Sequence, residues 1–355
     1  MNLRRRAQFD FSTAVVTGLL ACGLVASVWP AGSLAQPGPP ETQTAPSSEG
    51  EAVESEPART GEQQPSTASA DPCQSPSLQG SSLIELTGGG VVRTAVLHLP
   101  AAPSGQPLAL LIALHGFGGT GERFERDTGL STLADKEHFA VLYPSALGSQ
   151  WAIKGSDRDV LFISRLLDRV QQIACIQPRR IYAMGVSNGG RMAALLGCVL
   201  SNRIAAIAPV AGGYRSFPQC APIRPVSVLE IHGTADSTVP YNGVGPSHEG
   251  AVLPYVFGWA ARDGCDLHPT IAKIAAHTLR YLWSGCRGGT VVEHLRIYGG
   301  KHGLPEAAGA EISSGGARTV SGIEQVWHFL APLELAPENP QTDPNFVSDI
   351  DPQAP

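Results

Sequence analysis

Long apolar runs are scarce in this chain of 355 residues. After residue 35 no stretch is long enough to cross a bilayer, which argues against a membrane-spanning mature protein. The one long apolar run, residues 11–29, follows three arginines and precedes the small-x-small sequence "SLAQ". This pattern predicts a signal peptide over residues 1–35 and a secreted or periplasmic protein. An uncleaved anchor and lipid attachment at Cys22, in "GLLAC", are the alternatives.

Paired metal-binding motifs are also missing: there is no CxxC and no His/Cys spacing typical of zinc. We therefore expect no metal and no cofactor. An even number of cysteines follows residue 35, which in an oxidising compartment favours disulfides over buried free thiols. Six cysteines allow 15 pairings, and the spacing alone does not choose among them. They are Cys73, Cys175, Cys198, Cys220, Cys265 and Cys286.

No basic stripe or nucleic-acid motif occurs, so we expect no nucleic-acid partner. The formal charge of −6 arises largely from the segments that flank the body. Residues 36–71 carry seven acids and one arginine, and residues 331–355 carry five acids and no base. The polar, Pro- and Ser-rich residues 36–72 predict a disordered linker, and residues 333–355 a disordered tail. Residues 73–332 remain as one domain.

The body alternates strand-like and helix-like segments. The run "LALLIALHG" (108–116) is apolar throughout, as in a strand covered on both faces. Alternation of such strands with crossover helices predicts an α/β fold with a mostly parallel sheet and helices on both faces. Predicted strands are 91–99, 108–116, 139–144, 180–185, 204–210, 226–233 and 291–300, and predicted helices are 121–138, 159–174, 190–200, 251–263 and 322–330.

The stretch "GVSNGG" places Ser187 between a predicted strand and a predicted helix. This is the context of the G-x-S-x-G nucleophile motif, in which the serine occupies a strained turn. Bulk at Gly185 or Gly189 would collide with neighbouring backbone. The following helix would direct its N-terminal N–H groups at developing negative charge. A plain glycine-rich turn is the alternative.

A serine nucleophile needs a base and an orienting carboxylate, and in such sheets the chain order is Ser, acid, His. Asp236 follows the predicted strand 226–233, so we assign it as the acid rather than a solvated turn residue. Six histidines follow it. His302 alone lies in a glycine-rich loop after a strand, in "YGGKHGLP", and we assign it as the base. We expect His294 to be a surface residue and His328 to pack.

The glycine-rich stretch "LHGFGG" (114–119) follows an early buried strand. Backbone N–H groups in such a turn can stabilise an oxyanion. We expect the N–H groups of Phe117 and Asn188 to form this oxyanion hole, with His115 bracing the loop. A glycine-rich loop without this role is the alternative.

With these residues in place, the chain resembles the secreted esterase family that includes polyhydroxybutyrate depolymerase-like proteins, feruloyl esterases and acetylxylan esterases. The matching motifs include "ALHGFGGTGERF", "RRIYAMGVSNGGRMAALLGC", "PVSVLEIHGTADSTVPYNG" and "GGKHGLP", within residues 90–330. The resemblance implies an α/β-hydrolase fold and a serine esterase with the triad Ser187, Asp236 and His302.

The resemblance also implies three disulfides: Cys198–Cys220, Cys265–Cys286 and Cys73–Cys175. Two departures from the family pattern stand out. Phe117 takes the place of a frequent cysteine after H-G, and Leu304 takes the place of a tryptophan after the histidine. The missing tryptophan weakens any stacking of an aromatic acyl group beside His302.

We expect an esterase that acts through an acyl-enzyme on soluble or oligomeric esters, either feruloyl or acetyl esters of polysaccharides or short hydroxyalkanoates. A serine peptidase of the same fold and a non-catalytic envelope protein are the alternatives. The sequence does not identify the acyl and alcohol groups of the substrate ester. Five aromatic residues are candidates for lining a pocket or for packing: Trp151, Tyr214, Phe217, Tyr241 and Tyr255.

Overall fold

The fold is a ten-stranded sheet in a computed structural model, which describes residues 71–74, 79–88, 90–101, 105–153, 157–214, 220–244, 250–305 and 321–336. The predicted signal peptide, Cys22, nearly all of the predicted linker and the tail from residue 337 lie outside these residues. No helix among the described residues has the length and apolar character of a membrane span.

The sheet has the order β1-β2-β4-β3-β5-β6-β7-β10-β9-β8, and its six central strands, from β4 to β10, run parallel. Antiparallel strands complete it at both edges. The strands are β1 (Gly80–Gly88), β2 (Val91–Leu99), β3 (Leu108–Leu114), β4 (Phe139–Pro144), β5 (Ile176–Val186), β6 (Ala206–Val210), β7 (Ser227–Gly233), β8 (Thr270–Ala275), β9 (Thr278–Trp283) and β10 (Val292–Ile297).

Helices cover both faces of this sheet, and four of its central strands, β3, β4, β6 and β7, are buried along their whole length. One face packs on α3, α4 and α5 through residues such as Leu166, Met192 and Trp259. The other packs on α2 and α6 through residues such as Leu130 and Trp327. The helices are α1 (Gly121–Thr128), α2 (Leu130–Glu137), α3 (Arg158–Ile173), α4 (Asn188–Val199), α5 (Val252–Asp263) and α6 (Gly322–Leu330).

The predicted α/β class, the mostly parallel sheet and the two helical layers are confirmed. The helix predicted over 121–138 is interrupted at Gly129, whose φ of 69° ends α1 and begins α2. Strands β1, β8 and β9 were not predicted. They lie toward the sheet edges, and their partial exposure leaves no continuous apolar run for the sequence to show.

All three implied disulfides are present. Cys73 bonds to Cys175, Cys198 to Cys220, and Cys265 to Cys286. The bond from Cys265 to Cys286 joins the segment after α5 to the segment between β9 and β10.

Candidate active site

Ser187 occupies a strained turn between β5 and α4, with φ 58° and ψ −119°. A side chain rarely adopts this backbone conformation unless the surroundings enforce it. Here a Cβ at Gly185 would collide with the carbonyl of Gly189, and one at Gly189 with the carbonyl of Leu114. The two glycines therefore permit the close approach of β3, β5 and α4, as the motif predicts.

The loop after β3 lies beside this turn. A Cβ added at Gly116 would lie 3.6 Å from the Cβ of Ser187, so the backbone leading into Phe117 is adjacent to the serine. The loop is held from within by Gly119 N–H, which donates to Gly116 O at 3.1 Å, and from outside by Gly118 N–H, which donates to Ser149 O at 2.9 Å.

His115 braces this loop, as the sequence predicts. Its Nε2 accepts a hydrogen bond from Ala146 N–H at 3.0 Å, and its Nδ1–H donates to Gly116 O at 2.7 Å. Accepting a backbone N–H requires an unprotonated Nε2, so this imidazole is neutral. The pKa of His115 is lowered, mainly because the ring is buried.

Asp236 and His302 form a hydrogen bond: Nδ1–H of His302 donates to Oδ2 of Asp236 at 2.8 Å. The Asp236 side chain is fully buried, whereas 25% of the His302 side chain is exposed. The other carboxylate oxygen, Oδ1, accepts from Thr238 N–H at 2.9 Å and from Val239 N–H at 2.8 Å. Asp236 is thus fixed on one side by backbone and faces the imidazole on the other.

Two glycines bring the His302 loop to Asp236. A Cβ at Gly233 would collide with the carbonyl of Gly300, which shows how closely the two loops approach. Ala235 N–H donates to Gly300 O at 2.9 Å, and Gly299 N–H donates to the Thr234 hydroxyl at 2.9 Å.

Ser187 lies at the carboxyl end of β5, and Asp236 follows the carboxyl end of β7, two strands away in the same parallel sheet. Parallel strands end at a common edge, so both residues belong to one edge of the sheet. Among the described hydrogen bonds, His302 is joined to Asp236 and none joins it to the Ser187 hydroxyl.

A buried polar cluster adjoins Asp236, and no sequence motif described above indicates it. His232 contacts both Asp236 and Glu230, while Glu230 also contacts Tyr214 and His294. His294 is fully buried and bonds to Tyr241 OH at 2.7 Å, so its prediction as a surface residue was wrong. The register pairs His294 with Glu230 on the neighbouring strand, and only this pairing shows that the two face each other.

Burial by itself would raise the pKa of Asp236, but hydrogen bonds from His232, His302 and Val239 lower it to about 2. The group is therefore ionised throughout the neutral range. An ionised carboxylate that accepts Nδ1–H from His302 leaves Nε2 of that ring as the proton acceptor, which is the tautomer a general base requires.

Three of the aromatic candidates, Trp151, Tyr214 and Tyr241, are buried and pack in the interior. Tyr255 stacks on Tyr214 with ring centroids 3.6 Å apart. Phe217 lies outside the described residues. His328, predicted to pack, is exposed, while its neighbour Trp327 is buried. Phe117, by contrast, is 72% exposed on the loop beside Ser187.

His302 borders a cavity of about 640 Å³ between β10, the β8–β9 connection and α6. A smaller cavity of about 230 Å³ is lined by Phe117 and other residues of the loop after β3. In the part of the chain that the structure describes, no group of three His, Cys, Asp or Glu side chains could hold a metal ion.

Comparison with known proteins agrees with the fold. Residues 109–240 match the family model described as the alpha/beta hydrolase fold. An acetyl xylan esterase from Aspergillus awamori superposes with a TM-score of 0.51 at 14% identity, over 70% of this chain and 99% of that one. The chain is an α/β-hydrolase by fold.

Two relatives that match more than half of this chain are esterases. The chain is 30% identical over 236 residues to feruloyl esterase B of Piromyces equi, covering 59% of this chain and 42% of that protein. It is 28% identical over 225 residues to a bifunctional acetylxylan esterase/xylanase of Neocallimastix patriciarum, covering 62% of this chain and 31% of the relative. The chain thus spans less than half the length of each. The resemblance to feruloyl and acetylxylan esterases is confirmed.

Proposed function

We propose that the protein is a secreted serine carboxylic-ester hydrolase with Ser187 as nucleophile, His302 as base and Asp236 as the orienting acid. The observation that carries the proposal is the 2.8 Å hydrogen bond from His302 to Asp236, at the sheet edge where Ser187 occupies its strained turn. The esterase relatives support the choice of an ester over other acyl substrates.

In the first step, His302 Nε2 accepts the proton of the Ser187 hydroxyl as its oxygen attacks the ester carbonyl. His302 then gives this proton to the departing alcohol, and the acyl group remains on Ser187. A water molecule attacks the acyl-enzyme in the same way, which frees the acid and restores the serine. Asp236 stabilises the imidazolium formed in each step.

The tetrahedral intermediate carries a negatively charged oxygen. We assign the backbone N–H groups of Phe117 and Asn188 as the donors that stabilise it. Asn188 is the first residue of α4, and N–H groups in the first turn of a helix have no partner within the helix. The closeness of Gly116 to Ser187 supports the contribution of the neighbouring Phe117 N–H. Loss of one such donor typically raises the barrier by about 3–4 kcal/mol.

We propose soluble or oligomeric esters as substrates: feruloyl or acetyl esters of polysaccharides, or short hydroxyalkanoates. The named relatives support the first two classes. The three disulfides and the apolar segment at residues 11–29 support export from the cell.

The test is a comparison of the wild-type chain with Ser187→Ala on p-nitrophenyl acetate. Activity of the variant near the uncatalysed background is expected, as is labelling of the wild type by a fluorophosphonate at Ser187. Wild-type turnover by the variant would refute the nucleophile assignment. Initial rates on acetyl, feruloyl and hydroxybutyrate-oligomer esters, with a matched anilide, separate the substrate classes and the amide-cleaving alternative.

A further inference from the structure

His232 lies between two carboxylates in the interior behind the proposed active site. Its Nδ1 is 2.9 Å from Oε1 of Glu230, and its Nε2 is 3.3 Å from Oδ2 of Asp236. All three side chains are fully buried. Oδ2 is also the oxygen that accepts Nδ1–H of His302, so His232 and His302 share one atom of the proposed catalytic acid.

The partners of His232 determine where its protons lie. Nε2 is 2.9 Å from the carbonyl oxygen of Val239, which can only accept a hydrogen bond, so Nε2 carries a proton. Nδ1 faces Glu230, a carboxylate that also accepts from Tyr214 OH at 2.9 Å and lies 2.7 Å from His294 Nδ1. Glu230 accepts the Tyr214 hydroxyl and lies close to two imidazole rings, an arrangement that favours an ionised carboxylate and a second proton on Nδ1 of His232.

We propose that His232 is a positioning residue for the acyl-transfer reaction: a buried imidazolium that keeps the Asp236 carboxylate ionised and oriented toward His302. The inference rests on the proposed function and deepens it. His232 touches no substrate and acts through Asp236. Glu230 in turn supplies the charge that makes a buried imidazolium stable, since an unpaired buried cation is costly.

The pKa shifts of His232 and Glu230 agree with a buried imidazolium beside an ionised carboxylate. Burial alone would lower the pKa of His232, but Glu230 and the hydrogen bonds to Asp236 and Val239 raise it to about 10. Burial alone would raise the pKa of Glu230, whereas the charge of His232 and the contacts with His294 lower it to about 2. Besides these groups, two tyrosine rings lie near His232 and are steeply inclined to its ring, with centroids 5.9 Å away for Tyr241 and 6.5 Å away for Tyr214.

The protonation state can be measured without substrate. In the full chain labelled with ¹⁵N-histidine, proton–nitrogen correlation spectra at about pH 8 should show both ring nitrogens of His232 protonated. The signals are assigned by their loss in His232→Gln. Glu230→Gln removes the countercharge and should bring deprotonation of His232 into the neutral range. A singly protonated His232 in the wild type overturns the proposal.

The catalytic consequence is tested by the pH dependence of kcat/KM for p-nitrophenyl acetate between about pH 4 and about pH 9. His232→Gln removes a positive charge beside Asp236, which favours protonation of both Asp236 and His302. The acidic limb should therefore move to higher pH, and kcat should fall about tenfold or more while KM stays within about twofold.

The matched control is His98→Gln, because His98 is also a buried histidine bound to a carboxylate, Asp135, but lies on β2. The control should leave the acidic limb in place. If the acidic limb of the pH profile does not move in a folded His232→Gln variant, the role of His232 is only structural and the proposal is overturned. If His232→Gln does not fold, the signals of His232 are assigned instead by their change in Glu230→Gln, and the wild-type and Glu230→Gln spectra decide. A wild type that turns over no ester yet shows an imidazolium at His232 overturns the proposed function alone.

Discussion

The backbone N–H of Trp151 donates a 2.8 Å hydrogen bond to the side-chain oxygen of Asn188, the residue that follows Ser187. The indole N–H of the same tryptophan donates to the carbonyl oxygen of His115 at 2.9 Å. One buried residue thus connects the first turn of α4 to the loop after β3. These are the two segments that carry the proposed oxyanion donors, so their spacing depends on Trp151.

Asn188→Ala removes this connection and leaves the backbone N–H of residue 188 in place. We expect kcat for p-nitrophenyl acetate to fall about tenfold or more, because the donor would no longer be held in position. Asn202→Ala, at an exposed asparagine, is the control and should retain wild-type kinetics. Wild-type kcat in Asn188→Ala would contradict the positioning role of this contact.

Gly189→Ala places a methyl group against the carbonyl of Leu114, which is backbone and cannot rotate away. We expect a loss of at least about 1–3 kcal/mol in the free energy of unfolding, measured by urea denaturation and circular dichroism. Gly258→Ala is the control, since its nearest contact is the flexible end of Arg262 at 3.3 Å, and alanine favours the helix there. Equal stability of the two variants would show that the close approach at Gly189 is not required.

Asp236→Asn tests the carboxylate that fixes the His302 tautomer. An asparagine can present its amide N–H to the ring and select the wrong tautomer, so kcat should fall by about 10⁴-fold with little change in KM. Asp127→Asn, at an aspartate whose side chain is 59% exposed, serves as the control. A reduction of less than about tenfold would remove Asp236 from the proposed triad.

The disulfides should differ in their effect on stability, because a bond that closes a longer loop restricts the unfolded chain more. Cys73 and Cys175 are 102 residues apart, and Cys198 and Cys220 are 22 apart. Replacing the first pair by serine should cost about 4–5 kcal/mol, and the second about 3 kcal/mol. Urea unfolding of the two double variants measures both values, and the reverse order would show that native packing outweighs loop length.

Asp263 predicts a pH-dependent loss of stability. Burial raises the pKa of this carboxyl from 3.8 to about 6, despite hydrogen bonds from Val226 and Thr290. The folded state therefore binds the proton of Asp263 more tightly than the unfolded state does. The resulting contribution to the free energy of unfolding is present below about pH 4 and is lost as the pH rises through about 6. Asp263→Asn should remove this part of the pH dependence of the free energy of unfolding. Parallel curves for wild type and variant would contradict the assignment.

The order and apolar pattern of the segments along the chain already specify the fold class, since apolar strands that alternate with amphipathic helices can bury both faces of a sheet only in layers. It also located the strained turn at Ser187, because glycines at residues 185 and 189 are a local requirement of that turn. The choice of Asp236 and His302 followed from their positions after strands, and the structure joins these two by a hydrogen bond.

The surroundings of Asp236 in the interior depend on contacts between strands that are distant in the chain. Glu230 and His232 are two residues apart on β7 and share a face, but His294 reaches Glu230 only through the pairing of β10 with β7. A sequence records the spacing of residues along one strand and carries no register between strands distant in the chain. The same holds for Trp151, whose contacts with Asn188 and His115 join segments more than thirty residues apart.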